Sequence, residues 1–302
     1  MTAGWTPVVE ELALPPNLDA AASDFRAVVA LSNAICLAEI GVSDLDRAPE
    51  EMFAYLKDET DSVSRITVVR DGGEIVGACF LTYATAEPTS VELDIMVLPE
   101  NEGRGIGEAL LAHAEAATRT LGRRVIQAWT LHRAAPTGET MVPATGWGRA
   151  ERTAHAQLLE SHGFTLEQVE RNSSFDLRAA PEALESLLAA ALTAAGPDYR
   201  LVEWTAPTPP RWRDGYAWVI SRMSTDAPTG ALDVDEEVWD AARIQRRDAR
   251  LIDGGQTMSV TAVEHVPTGT LAAFNELVIG PGAEEVTHQY STLVLKEHRG
   301  HR

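Results

Sequence analysis

The sequence predicts an α/β chain in which one complete domain is followed by the opening part of a second copy. Three observations carry this. Segments of strand period and helix period alternate along residues 1–178. A strand running to Val97 leads through Gly103, Gly105 and Gly107 directly into a helix that opens at Ile106. The end of the chain repeats that entry when the sequence is laid on itself at an offset of 197, the separation of Gly300 from Gly103. The expected domains are residues 1–178, a linker helix within 179–198, and a partial second domain over 199–302 that ends inside its own glycine loop.

The elements follow in order. A short strand is expected near 8–11. Ser23-Asp24 reads as the cap of a helix to Ile40, and Pro49 starts a second helix to about residue 58. A strand at 65–70 turns through Asp71-Gly72-Gly73 into a strand at 74–84. Val91, Leu93, Ile95 and Val97 alternate with Glu92, Asp94 and Met96, giving a strand with two unlike faces, and Pro99 ends it. The long helix carries Leu110, Leu111, Ala114 and Ala117 at helical spacing to Leu121. A strand at 123–131 follows Gly122, then a loop at 133–150 containing Trp147, a helix at 151–161, and a closing strand at 168–177. Residues 181–195 form an Ala/Leu helix expected to pack between the domains. The second half predicts strands at 199–205, 257–265, 270–278 and 286–295, and helices at 211–223 and 234–251.

Composition excludes several classes. With 25 basic against 45 acidic residues the formal charge is −20, which argues against nucleic acid as a partner. No apolar run is long enough for a membrane span, and the first residues have no signal-peptide pattern, so a cytoplasmic protein is expected. Cys36 and Cys79 sit in apolar patterns and read as reduced buried thiols. His155 and His162 lie seven residues apart, a spacing that suits no compact metal site, and His113, His298 and His301 have no company, so no metal is expected.

Exposed loop amides at the positive end of a helix dipole make a phosphate site. No Gly-x4-Gly-Lys-Ser/Thr is present, and Glu108 stands where a dinucleotide loop needs its third glycine, so neither of those loops fits. The strand, Val-Leu-Pro and the run Glu102-Gly103-Arg104-Gly105-Ile106-Gly107 resemble the acyl-CoA motif of the GCN5-related N-acetyltransferase (GNAT) superfamily, and the duplication resembles its tandem type. Glu102 departs from the usual Arg or Gln. In the second half Arg299 keeps that residue type, while Arg302 replaces a glycine.

This resemblance implies a mixed, mostly antiparallel sheet with flanking helices, and acyl transfer from acetyl-CoA or another acyl-CoA to a primary amine of a small molecule. It implies that Glu102, Gly103, Arg104, Gly105, Ile106 and Gly107 hold the pyrophosphate, and that the Met96 and Val97 backbone meets the pantetheine and thioester. Glu92 and Asp94, on the strand face opposite the aliphatic row, are the candidate bases, with Glu92 ahead. Its counterpart in the second half, Gln289, cannot act as one. Relatives often place a tyrosine four residues before the Gly-Phe pair to protonate the thiolate; here that residue is Leu159. The alternative reading is therefore an acyl-CoA-binding module with weak or no turnover. Trp129, His132 and Trp147 are expected near the acceptor, as an aromatic wall or as packing.

Overall fold

The computed structural model describes residues 5–19, 22–86, 89–179, 181–226, 232, 237–282 and 285–300. The chain divides into two compact units, one built on Met1–Val169, the other on Glu170–Thr229 and Val234–Arg302. In the first unit, β1 (Val9–Leu12), β2 (Ser62–Asp71), β3 (Glu74–Ala84), β4 (Ser90–Val97) and β5 (Val125–Ala128) form one sheet in that order. All pairings are antiparallel except β4 with β5, which is parallel. Helices α1 (Ser23–Ile40) and α2 (Pro49–Lys57) cover one face, burying Phe25, Val28, Met52 and Leu56 against Ile66, Val68, Ala78 and Met96. Helix α3 (Ile106–Thr120) covers the other, with Leu110, Leu111 and Ala114 against Val69, Cys79, Leu93 and Ile95. The alternation in β4 is thus divided between two cores. A two-stranded ribbon, β6 (Thr140–Met141) with β7 (Ala150–Glu151), precedes α4 (Ala154–Ser161).

The close fit of α3 has a specific cause. A Cβ placed on Gly77 of β3 would lie 2.4 Å from Ile106 Cγ2. The absent side chain at Gly77 is what lets the first turn of α3 sit that low on the sheet.

Several expectations are corrected. Ser23-Asp24 does not cap α1: Ala22 occupies the cap position without a side-chain bond, and Asp24 instead accepts from Arg70 Nη2 at 2.7 Å. Glu151 belongs to β7, and α4 starts only after Thr153, whose hydroxyl accepts from Ala156 N–H at 3.2 Å. The strand expected at 123–131 is only Val125–Ala128. No strand forms at 168–177. The run Glu170-Arg171-Asn172-Ser173-Ser174 offers no apolar face, and Phe175 and Leu177 stand exposed.

In the second unit, α5 (Pro181–Ala195) has no buried residue, contrary to the packed connector expected. Strands β8 (Tyr199–Thr205), β9 (Thr257–His265), β10 (Thr270–Ile279) and β11 (His288–Val294) pair antiparallel in the order β11-β10-β9-β8. Helices α6 (Pro210–Ser221), α7 (Met223–Asp226) and α8 (Ala241–Asp253) accompany them. Tyr216, Val219 and Ile244 pack on Met258, Val260 and Phe274. Helix α8 begins later than expected because Asp240 caps it, accepting from Arg243 N–H at 2.7 Å. Of its expected first turn, residues 234–236 lie outside the described residues, as do His301 and Arg302.

The offset of the repeat reappears in the backbone. A 3-10 turn at Pro99–Asn101 follows β4, and another at Lys296–His298 follows β11. Val97 pairs with Gly77, and Val294 pairs with Ala273. Gly103 and Gly300 both adopt positive φ, at 69° and 91°.

The second core contains an ion pair. Glu276 is fully buried on β10, accepting from Tyr216 O–H and from Arg247 Nη2, the latter at 2.6 Å. Glu276→Ala should destabilise this unit by about 3–5 kcal/mol in urea denaturation, since it leaves the Arg247 charge uncompensated. The double replacement Glu276→Leu with Arg247→Met should cost distinctly less; an equal or larger loss would show that the pair itself stabilises.

Candidate active site

The site begins where β4 outruns β5. Their parallel pairing covers only Ser90–Leu93 against Val125–Ala128, so Asp94, Ile95, Met96 and Val97 continue with β3 alone as a paired neighbour. Along such a strand alternate residues point N–H and C=O towards the vacated edge. Met96 and Val97 therefore lie on an edge that β5 leaves unpaired.

Beyond this edge the loop presents its amides. Gly103 and Gly105 have φ of 69° and 80°, and a Cβ on Gly103 would meet nothing within 4 Å. Gly105 is the N-cap of α3 and supplies no side chain; helical bonding starts with Ala109 N–H to Gly105 O at 3.1 Å. The amides of the first turn, Ile106 among them, are left to point out of the helix end. Gly107 has a different role. A Cβ there would lie 2.7 Å from Leu158 Cδ2, so this glycine lets α4 lie close on α3.

The charges of the loop are arranged unlike the expectation for Arg104. Its guanidinium binds Asp71 Oδ2 at 2.5 Å and Asn101 Oδ1 at 2.7 Å, and stacks 4.5 Å from the Trp5 ring. It braces the loop against the β2–β3 turn. Glu102 is exposed, and burial of part of its surroundings raises its carboxyl above the usual range, with His155 lowering it and Glu39 raising it further.

The face beside this edge is built from β4, α1, α4 and the loop after β5. Asp94 is accessible by surface area, yet dense protein surrounds it. That desolvation raises its carboxyl above the usual range; His155 and Arg47 oppose the shift and Glu39 adds to it. Asp94 also acts on Cys36 of α1, whose thiol is raised first by burial. Glu92 is exposed and lies level with Gln127, within the paired part of β4. The structure thus separates the two candidate bases: Asp94 belongs to the charged cluster at the splay, and Glu92 to the sheet before it.

Each neighbour is fixed in place. Gly41 ends α1 in a left-handed conformation, and Arg133 donates to Glu39 O and Ala38 O at 3.2 and 3.1 Å, closing the carbonyl end next to Glu39. Asn33 clamps the backbone of Arg47 through two 3.0 Å bonds. His155, on the first turn of α4, has 15% of its side chain exposed, with Nδ1 4.0 Å from Glu39 Oε1. His132 Nε2 meets the Thr130 hydroxyl at 2.7 Å, its Nδ1 is buried without a partner, and burial lowers its pKa. Trp129 is about half exposed and Trp147 is 81% exposed, so Trp147 contributes no wall.

Sequence reasoning missed Glu39 and weighed His155 only as a metal ligand. A glutamate in the last turn of a helix and a lone helical histidine carry no spacing signal; only folding brings them together. Leu159, by contrast, is buried in the core with Phe164 beside it. Among the described residues no group of three or more His, Cys, Asp and Glu is arranged to hold a metal ion, and no helix is long and apolar enough to cross a membrane.

Comparison with known proteins agrees with this geometry. Residues 62–166 match the family model described as acetyltransferase (GNAT) domain. Among solved structures, a tandem GNAT protein from the clavulanic acid biosynthesis pathway aligns with a TM-score of 0.67 and 22% identity, covering 98% of this chain and 81% of that one. A GCN5-related N-acetyltransferase from Sphaerobacter thermophilus aligns with a TM-score of 0.51 and 14% identity, covering 98% and 78%. No curated protein matches.

The titration of Asp94 gives a stability test. A carboxyl raised by burial favours the folded state fully below its ordinary value of 3.8, and that contribution is lost as pH rises through the folded value. Asp94→Asn should therefore raise the unfolding temperature at pH 8, with the advantage shrinking on acidification and vanishing near pH 4. An advantage independent of pH would remove the burial argument.

Proposed function

We propose that this chain, whose residues 62–166 match the GNAT acetyltransferase family model and whose fold is that of a tandem GNAT protein, is an acyl-CoA-dependent N-acetyltransferase that acts on the primary amine of a small molecule, through the site on the first unit. The observation that carries the reading is the departure of β4 from β5 after Leu93, immediately beside Asp94 and before an uncapped helix end.

Each requirement of the chemistry has a residue. Amides from Gly103 to Gly107 receive the pyrophosphate, with Ile106 in the first turn of the helix dipole. The freed edge at Met96 and Val97 holds the pantetheine amide groups and sets the thioester carbonyl beside a backbone N–H, which receives the developing oxyanion. Asp94 takes the proton from the attacking amine; crowding by protein has already moved it towards proton affinity. Glu39, Asp94 and Glu102 give the acceptor side a carboxylate-rich character, which favours an amine that arrives as a cation. Arg104 works indirectly, by holding the loop.

Acetyl-CoA titrated calorimetrically into the chain should bind, and Gly105→Val should abolish the heat, because a β-branched residue does not adopt φ of 80° without strain. With an amine found by screening for CoA release, Asp94→Asn should lower turnover about 10²–10⁴-fold with acetyl-CoA binding retained. Binding with no amine-dependent CoA release would favour the module without turnover. No binding at all would overturn the proposal.

A further inference from the structure

Acyl transfer moves two protons, and Asp94 accounts for one. When the carbon–sulfur bond breaks, the electron pair leaves on sulfur, and a thiolate needs a proton from a donor on the acyl-CoA side of the site. We propose that His155 is that donor, its imidazolium held by Glu39. This inference rests on the acetyltransferase reading and assigns a residue within it.

The placement comes from packing. Helix α4 lies against the first turn of α3 through Leu158, at the spot that Gly107 leaves open. His155 is one turn before Leu158, on the same side of the helix. It opposes the rise of the carboxyls of both Asp94 on β4 and Glu102 in the loop, so it lies within electrostatic reach of each. Glu39 Oε1 lies 4.0 Å from Nδ1. A carboxylate on that side steadies the ring and the imidazolium, and leaves Nε2–H to face the thioester. The groups around it are Glu39 from α1, Asp94 from β4, Glu102 from the loop and His132 from the segment after β5, with Arg47 acting through Asp94.

No other residue of α4 competes. Leu159 is in the core, and Glu160 is taken by Arg152 at 2.7 Å. The proton inventory closes. An amine that arrives as an ammonium first gives its extra proton to solvent; the neutral nitrogen then attacks the carbonyl carbon and its N–H proton passes to Asp94. The carbon–sulfur bond breaks, sulfur takes the pair, and His155 Nε2–H gives sulfur its proton. Transfer of the proton from Asp94 to neutral His155, directly or through water, resets both.

CoA itself is the probe, so no acceptor is needed. An imidazolium beside sulfur favours the thiolate and lowers the pKa of the bound thiol, read by the ultraviolet absorbance of the thiolate. In the wild type the thiol should ionise at a proton concentration about tenfold higher than in His155→Gln, with Glu39→Gln between them. Acetyl-CoA, which has no thiol, should bind the wild type and His155→Gln alike. Identical thiol titrations, with acetyl-CoA bound normally, would overturn the assignment of His155 alone. Failure of acetyl-CoA to bind the wild type would instead remove the reading beneath it. Carbon-13 NMR of the wild-type histidines gives an independent arm: the His155 imidazole should titrate higher with CoA bound than with acetyl-CoA, and equal titrations would overturn the proposal.

Discussion

The first unit depends on one unequal pairing. Strand β4 is held by β3 from Glu92 to Val97 but by β5 only from Ser90 to Leu93. Its side chains are anchored on both faces, Ile95 in the α3 core and Met96 in the α1–α2 core, so the strand is held in place where its outer edge is vacated. Had β5 run two residues further, the ladder would have consumed the edge groups that a linear amide-bearing ligand needs. The same strand places Asp94 on the acceptor face and leads through Pro99–Asn101 to the glycine loop. Backbone edge, carboxyl group and helix end are therefore a single stretch of chain. No loop has to be brought in to unite them.

Much of this was legible in the sequence because it is local. The period-2 alternation in β4 gave both its faces, and Asp71-Gly72-Gly73 gave the β2–β3 turn. The glycine loop gave the helix start at Ile106. The cluster around Asp94 was not legible. Glu39, His155 and Arg47 come from three segments, and the bonds that position them, from Arg133 to the end of α1 and from Asn33 to the Arg47 backbone, join residues far apart in the chain. Two local readings failed for different reasons. Asp24 was drawn to a tertiary partner, Arg70, instead of capping α1, and the stretch at 168–177 has no continuous apolar face with which to hold a strand on a sheet. Even Gly107, singled out for the pyrophosphate loop, has its lack of a side chain explained by Leu158.

The two units solve their cores differently. In the first, both faces of the sheet bury aliphatic residues under helices. The second places a carboxylate, Glu276, in the middle of its core and satisfies it with Tyr216 and Arg247. Such a network demands that every member be matched, which fixes the register between α6, α8 and β10. The strands and turns of the repeat have been kept, and the chemistry between them has not.

That divergence reaches the strand that pairs with the end of β4. Gly77 opposes Val97, and Ala273 opposes Val294 at the corresponding point of the second sheet. One methyl group separates these positions, yet Ile106 occupies the volume that methyl would need. The two strands are therefore not interchangeable: laying the later one over the earlier would lift the helix that carries the glycine loop, even with strand order and registers intact.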